Sequence, residues 1–348
     1  MTGALPAVDR DAPSRADLVV IGGGPAGAAA AITAVRSGLR VVIFEARRFP
    51  RFRPGETLHP GIEPVLERLG AREALLNATT LRHAGTWVQW GEHDTFAPFG
   101  HDEAGPWLGF QAPRDDFDRR LLSVAAACGA EILEHRAVGI ARDAHRRMIV
   151  ESTAARIDAR FVLDASGQAH WLARRLAVPL VKRSRTLFAR CGYVDATREA
   201  AESLPCIRSD RDGWTWIADL GGGRYQWTRV SEPAARPPTS WLPAALEGCR
   251  SRRTFGADVT WRMAERVAGA GWFLCGDAAA VLDPLSSRGV LRAVMSGMMA
   301  AHLAVAAIGG DLHAREAADV YHSWLADWFS HDASTLTAAY HEIGLFGC

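Results

Sequence analysis

The sequence predicts an α/β fold: a helix-covered parallel sheet, an inserted and mostly antiparallel β-sheet, and helices at the C-terminus. Three observations predict it. Asp17-Leu18-Val19-Val20-Ile21 runs straight into Gly22-Gly23-Gly24-Pro25-Ala26-Gly27, and a second apolar run, Arg40-Val41-Val42-Ile43-Phe44, ends on Glu45. Two later apolar runs, Arg160–Asp164 and Gly271–Cys275, also end in small-residue turns. Between them lie stretches that alternate like strands and are rich in tryptophan.

The first segment reads as strand, glycine turn, helix and strand with a terminal acid. This is the full context that gives a G-x-G-x-x-G run meaning, a Rossmann-type dinucleotide fingerprint, and it resembles the glutathione-reductase-like variant of that fold. Gly22 permits the tight turn, Gly24 lets a pyrophosphate approach the backbone, and Gly27 lets helix and strand pack closely. The helix N-terminus offers unpaired N–H groups and a partial positive charge to phosphates. Glu45, 18 positions after Gly27, is placed to accept from ribose hydroxyls. Gly22, Gly24, Ala26, Gly27 and Glu45 are therefore expected to contact a dinucleotide.

The expected organisation is a discontinuous nucleotide domain, 14–80, 110–180 and 265–310. The inserted pieces 81–109 and 181–264 form the substrate sheet, and 311–348 a helical cap. Trp87-Val88-Gln89-Trp90 is one inserted strand. Trp214-Thr215-Trp216-Ile217-Ala218 and Arg224-Tyr225-Gln226-Trp227-Thr228-Arg229 are two more, joined by the glycine-rich Asp219–Gly223 as a hairpin. Arg114 opens a helix whose Phe117, Leu121, Leu122 and Val124 face a core. In the cap, Ala317, Val320, Tyr321, Trp324, Leu325 and Trp328 recur at helical spacing.

With 348 residues and a net charge of +1, the chain has room for two domains and no like-charge block to bind nucleic acid. Residues 1–16 carry no apolar signal-peptide core. Val294–Ile308 is apolar but reads as a buried helix too short to span a membrane. Six cysteines, Cys128, Cys191, Cys206, Cys249, Cys275 and Cys348, lack metal-ligand spacing and read as free thiols of a cytoplasmic protein without a metal site.

Taken in order, the glycine turn, the Asp164-Ala165-Ser166-Gly167 turn and the Gly276-Asp277 turn resemble the FAD-dependent monooxygenases of the para-hydroxybenzoate hydroxylase type. That superfamily includes the flavin-dependent halogenases and geranylgeranyl reductases. The resemblance implies FAD as cofactor. It places Asp277 on the ribityl–ribose region, Pro284 against the isoalloxazine ring, and the Ser287–Arg288–Gly289 backbone at its N1/O2 edge. Arg53-Pro54-Gly55-Glu56-Thr57-Leu58 resembles the Gly-Glu-Ser/Thr turn beside the flavin in the halogenase-like branch. Arg114-Asp115-Asp116-Phe117-Asp118 resembles the segment whose arginine lies near the FAD phosphates. NAD(P)H or a separate flavin reductase is implied as a transient electron donor, with O2 as co-substrate.

Such a flavin hydroxylates aromatic rings through a C4a-hydroperoxide. Trp214 and Trp216 share one strand face, and Trp227 sits opposite them if the hairpin register allows, an aromatic wall for an indole or phenol or, equally, a packed core. His59 is a candidate general base, Glu56 a candidate near the flavin, and Trp216 a candidate catalytic-site wall. The tryptophan halogenases rely on a lysine shortly after the Gly-Glu turn. Here that position falls on or near Thr86, and the only lysine, Lys182, lies far along the chain. Lysine-dependent halogenation is therefore not expected. A narrower resemblance is to flavoproteins that hydroxylate a partner's tryptophan during tryptophylquinone maturation, so the aromatic substrate is either a small molecule or protein-borne. Three alternatives stay open: a double-bond reductase of the geranylgeranyl-reductase type, a lysine-independent halogenase-like enzyme, and a non-enzymatic, FAD-bound maturation scaffold.

Overall fold

The structure is a computed structural model that describes residues 14–144, 147–196 and 205–345. The N-terminal stretch up to residue 13 and Cys348 lie outside the described residues. Its main strands are β1 (Arg15–Ile21), β2 (Val41–Phe44), β3 (Gly85–Trp90), β4 (His93–Pro98), β5 (Glu131–Leu133), β6 (Ala137–Arg142) and β7 (Met148–Ser152). They continue as β8 (Arg156–Asp164), β9 (Phe188–Asp195), β10 (Cys206–Asp210), β11 (Gly213–Asp219), β12 (Arg224–Ser231), β13 (Arg250–Asp258) and β14 (Trp272–Leu274). Four helices matter for the site: α1 (Pro25–Arg36), α2 (Arg114–Ala127), α3 (Gly289–Gly309) and α4 (Ala314–Glu342).

The first sheet runs β5-β2-β1-β8-β7-β6, with β14 beside β8. Pairing is parallel from β5 to β8 and on to β14, while β7 and β6 return antiparallel. Helices cover the parallel part, so β1 and β2 are buried on both faces and read as unbroken Val/Ile runs rather than alternating ones. Helix α1 starts with Pro25 at its first turn and presents alanines to its neighbours. A Cβ on Gly297 would lie 2.1 Å from the Ala26 carbonyl oxygen, so α1 and α3 cross almost backbone to backbone. Only glycine permits that approach.

Helix α3 has 21 residues and begins before the Val294–Ile308 stretch expected from composition. By length and composition it could cross a membrane. Here it packs on α1 and α4 instead. Arg292 in its first turn interrupts the apolar pattern, which is why hydropathy alone did not join Gly289–Leu291 to the run.

The second sheet has seven strands in the order β13-β9-β12-β11-β10-β3-β4. The expected hairpin forms, β11 against β12 around Asp219–Gly223. Its register corrects the aromatic-wall reading. Trp214 faces Val230 and Trp216 faces Thr228, whereas Trp227 pairs with Ile217 and Tyr225 with Asp219. Side chains alternate faces along a strand, so Trp227 points away from Trp214 and Trp216. It is buried in a separate cluster with Val194, Tyr225 and Leu246. Trp227 is therefore core, not substrate wall.

Candidate active site

Loops at the carboxyl ends of β1, β2, β8 and β14 gather at one edge of the parallel sheet, where ligands bind in open α/β sheets. Gly22 adopts a φ of +103°, and a Cβ there would lie 2.5 Å from the Ala165 carbonyl oxygen. Gly27 is tighter still, its Cβ position 1.9 Å from the Gly22 oxygen. Gly24 differs: its φ is an ordinary −75°, and a Cβ would meet only the Arg51 guanidinium, at 3.1 Å. Gly22 and Gly27 thus serve the turn itself, and Gly24 keeps a cradle open at the α1 N-terminus. Ala26 packs under Gly276 and against Gly297 rather than lining the cradle.

The Glu45 carboxylate accepts from the Gly23 N–H at 2.7 Å and from the Arg47 N–H at 2.9 Å, which fixes it at the turn. Arg51 lies 3.8 Å from Glu45 and 4.0 Å from Asp118, and its buried Nε has no partner. Arg114 grips Asp118 with two hydrogen bonds, at 2.8 and 3.1 Å. Asp118 is thus the structural partner of Arg114. Arg53 lies exposed in the same groove. Partial burial and the neighbouring Arg51, Arg114 and Arg47 push its pKa down. Opposite sits Asp277, exposed to the groove, whose carboxyl is pushed up by desolvation from the surrounding chain while Arg114 and Arg53 draw it down. Ser296 orients this turn by accepting from the Gly276 N–H at 2.9 Å.

Past Asp277, a short turn (Pro284–Ser286) leads through Ser287, in the left-handed region at φ 50°, into α3. Pro284, Ser287, Arg288 and Gly289 are all exposed along this rim. Arg288 stands beside His59, and burial together with the Arg288 charge pushes the His59 pKa down. His59 Nδ1 accepts from the Gly61 N–H at 3.0 Å. In the neutral ring the proton then sits on Nε2, which makes His59 a donor toward its surroundings. That geometry speaks against the general-base role.

Glu56 is buried and accepts from the Tyr193 hydroxyl and from the Gly55 N–H. Burial pushes its carboxyl up, against those hydrogen bonds. Because its oxygens are engaged, Glu56 acts as a clamp between the Gly-Glu turn and β9 of the second sheet. Phe52 reinforces the clamp, stacking on Phe255 at 3.7 Å between centroids.

This clamp sets which face of the second sheet looks at the groove. Val88, Ile207, Trp216, Thr228, Cys191 and Phe255 follow one another across the strands on that face. Trp216 is half-buried, whereas Trp214 is sealed in the core, its Nε1 donating to Tyr340 at 2.7 Å. Gln226 and Thr228 provide a buried polar pair, 2.7 Å apart, and burial pushes the Cys191 thiol up to about 12. Thr86 shares the inward face of β3 with Val88 and Trp90, and no lysine accompanies it. Lys182 lies exposed on a strand paired with Arg262–Ala264, outside the seven-stranded sheet.

Sequence reasoning missed Arg51, Tyr193 and Ser296. Four arginines, at 47, 48, 51 and 53, follow directly on Glu45, and a basic run after a ribose-type acid was a readable signal for phosphates. Tyr193 and Ser296 left none, since each reaches a partner from a distant element.

A family model described as tryptophan halogenase matches residues 103–331, and one described as FAD dependent oxidoreductase matches residues 17–50. The chain belongs to the tryptophan halogenase family. It is an FAD-dependent oxidoreductase of this halogenase-like group. A tryptophan 2-halogenase of Chondromyces crocatus is 27% identical over 95% of this chain and 69% of its own. A menaquinone reductase of Mycolicibacterium smegmatis is 31% identical over 83% of this chain and 76% of its own. The solved structure of the myxobacterial chondrochloren halogenase CndH superposes with a TM-score of 0.83 at 23% identity, over 94% of this chain and 83% of that one. The groove fits FAD. Its open cradle at Gly24 and the unpartnered Arg51 Nε leave room and a donor for phosphates, with the Glu45 and Asp277 carboxylates in the same groove.

Proposed function

We propose that this FAD-dependent oxidoreductase is a monooxygenase that hydroxylates an electron-rich aromatic ring, an indole or a phenol, carried by a small molecule or by a partner protein. The observation that carries the reading is the half-buried Trp216 on the inward sheet face, in a row with Thr228 and Cys191, while no lysine lies on or near Thr86, where the halogenase resemblance expects one. An aromatic wall beside a polar pair suits a ring bearing one hydrogen-bonding group. Without an amine on that face, nothing replaces the lysine on which tryptophan halogenases rely.

In this reading Arg51, Arg53 and Arg114 neutralise the phosphates together with the α1 N-terminus. Glu45 accepts from ribose hydroxyls, and Asp277 from the ribityl chain. Bound FAD, once reduced, supplies the electrons that activate O2. The Ser287–Gly289 backbone at the α3 N-terminus stabilises negative charge at the flavin edge. Trp216 orients the ring and excludes water, and the Gln226–Thr228 pair holds its polar substituent. His59, with its proton on Nε2, donates rather than abstracts.

One specific observation favours a second reading, reduction of a double bond: the 31% identity to a menaquinone reductase over most of the chain. Mass spectrometry separates the two. FAD-loaded protein is supplied with reductant, isotopically labelled O2, chloride and a panel of phenols, indoles, tryptophan-bearing peptides and menaquinone. Gain of one labelled oxygen by an aromatic supports hydroxylation. Gain of two hydrogens by menaquinone, or of chlorine by an aromatic, overturns it.

A further inference from the structure

Behind the exposed rim Pro284–Gly289 lies a polar cluster that no step above uses. Asp283 is fully buried, yet its carboxylate receives three hydrogen bonds. The Leu285 N–H donates to one oxygen at 2.9 Å, while Trp261 Nε1 at 2.9 Å and the Tyr340 hydroxyl at 2.6 Å donate to the other. Tyr340 accepts in turn from Trp214 Nε1 at 2.7 Å. Tyr340, Trp261 and Trp214 are themselves almost wholly buried. Each comes from a different element: the last turns of α4, the segment after β13, and β11.

A buried carboxylate adds little stability over a well-packed apolar group, so its return lies in fixing one geometry. Here the geometry fixed is that of the rim. Asp283 also opens the Pro284–Ser286 turn, its backbone oxygen accepting from the Ser286 hydroxyl at 3.2 Å. Ser286 is held on its far side by Arg292 at 3.0 Å. Leu285 and Ser286 are thus anchored at Asp283 and Ser287 at Pro284, and Asp283 is anchored by donors from the segment after β13 and from the C-terminal helix.

We infer that Tyr340 and Trp261 are positioning residues that, through Asp283, hold the 284–289 backbone in the geometry that binds and tunes the flavin. The inference rests on the reading that this rim faces the flavin. It makes the C-terminal helix part of the cofactor site, although Tyr340 lies 57 positions beyond Asp283.

The test compares Tyr340→Phe with the wild-type chain and with Leu336→Ala, which loosens the packing of α4 in the same apolar cluster without touching the carboxylate. Three quantities are measured: FAD affinity, the midpoint potential of bound FAD, and amide hydrogen exchange over 284–290 with and without FAD. Tyr340→Phe is expected to weaken FAD about tenfold, the worth of one hydrogen bond to a charged acceptor. It should also move the potential to more negative values and speed exchange in 284–290. Leu336→Ala is expected to lower the melting temperature and leave the potential unchanged. If FAD fails to protect 284–290 in the wild type, the rim does not face the flavin and the underlying reading is wrong. If FAD protects those amides but Tyr340→Phe leaves affinity, potential and exchange as they were, the positioning role is refuted. A Tyr340→Phe chain that does not fold is replaced by Trp261→Phe, which removes a second donor to the same oxygen and is read by the same criteria.

Discussion

Replacing Gly24 by alanine separates binding from folding. A Cβ there meets only the Arg51 guanidinium, 3.1 Å away at the end of a flexible side chain, and φ is −75°, which alanine adopts freely. The expected cost to the fold is that of a poorer N-cap, about 1 kcal/mol, or about 2 °C in melting temperature. The same methyl stands in the cradle a pyrophosphate must enter. Displacing it forfeits about two charge-assisted hydrogen bonds at about 1.5–3 kcal/mol each, which weakens FAD about a hundredfold to ten-thousandfold. Titration of the FAD-free chain followed by flavin fluorescence, beside a thermal melt, reads both. Gly27→Ala is the contrast: its Cβ would sit 1.9 Å from the Gly22 oxygen, so it should fail at folding before binding is at issue. A Gly24→Ala chain that melts normally and binds FAD within about threefold of wild type would refute the assignment of the cradle.

The remaining expectations follow the same logic. Arg51→Ala should weaken FAD about tenfold and flatten the salt dependence of binding, read by titration across ionic strengths. Trp216→Ala should leave FAD affinity unchanged and depress turnover, whereas Trp227→Ala, on the opposite and fully buried face, should cost about 3–5 kcal/mol of stability in a denaturant melt. Glu56 has a carboxyl pushed up by burial, so its protonated form favours the fold. That contribution is complete below the unfolded-chain value of 4.5 and is lost as pH rises through the folded value. Glu56→Gln should accordingly gain stability over the wild type as pH is raised from 4 toward neutrality, and a gap that stays constant with pH would contradict it.

The nucleotide half was legible because its chemistry is local. Strand, glycine turn, helix and acid lie within 29 residues, and Gly22 and Gly27 each have a backbone reason that the structure displays. The hairpin at Asp219–Gly223 was legible for the same reason. Its facing was not: period two puts Trp214 with Trp216, but whether Trp227 joins them depends on register, which the five-residue turn sets and which pairs Trp227 with Ile217. Long-range clamps were equally hidden. The Glu56–Tyr193 contact joins positions 137 apart, and the two distant donors to Asp283, Trp261 and Tyr340, come from separate elements, so neither leaves a periodic or spacing signal. His59 was visible as a titratable group, yet its tautomer follows from one backbone N–H at Gly61.

The central claim is that FAD held in this groove activates O2 for transfer to a ring. Its most direct test is to reduce the FAD-loaded protein without oxygen, mix it rapidly with oxygenated buffer containing candidate aromatics, and follow absorbance through the flavin bands. The account predicts a transient species, distinct from both reduced and oxidised flavin, whose decay quickens with a substrate that then carries one oxygen from O2. Direct return to oxidised flavin with stoichiometric peroxide under every aromatic, together with rapid anaerobic reoxidation by menaquinone, would contradict it.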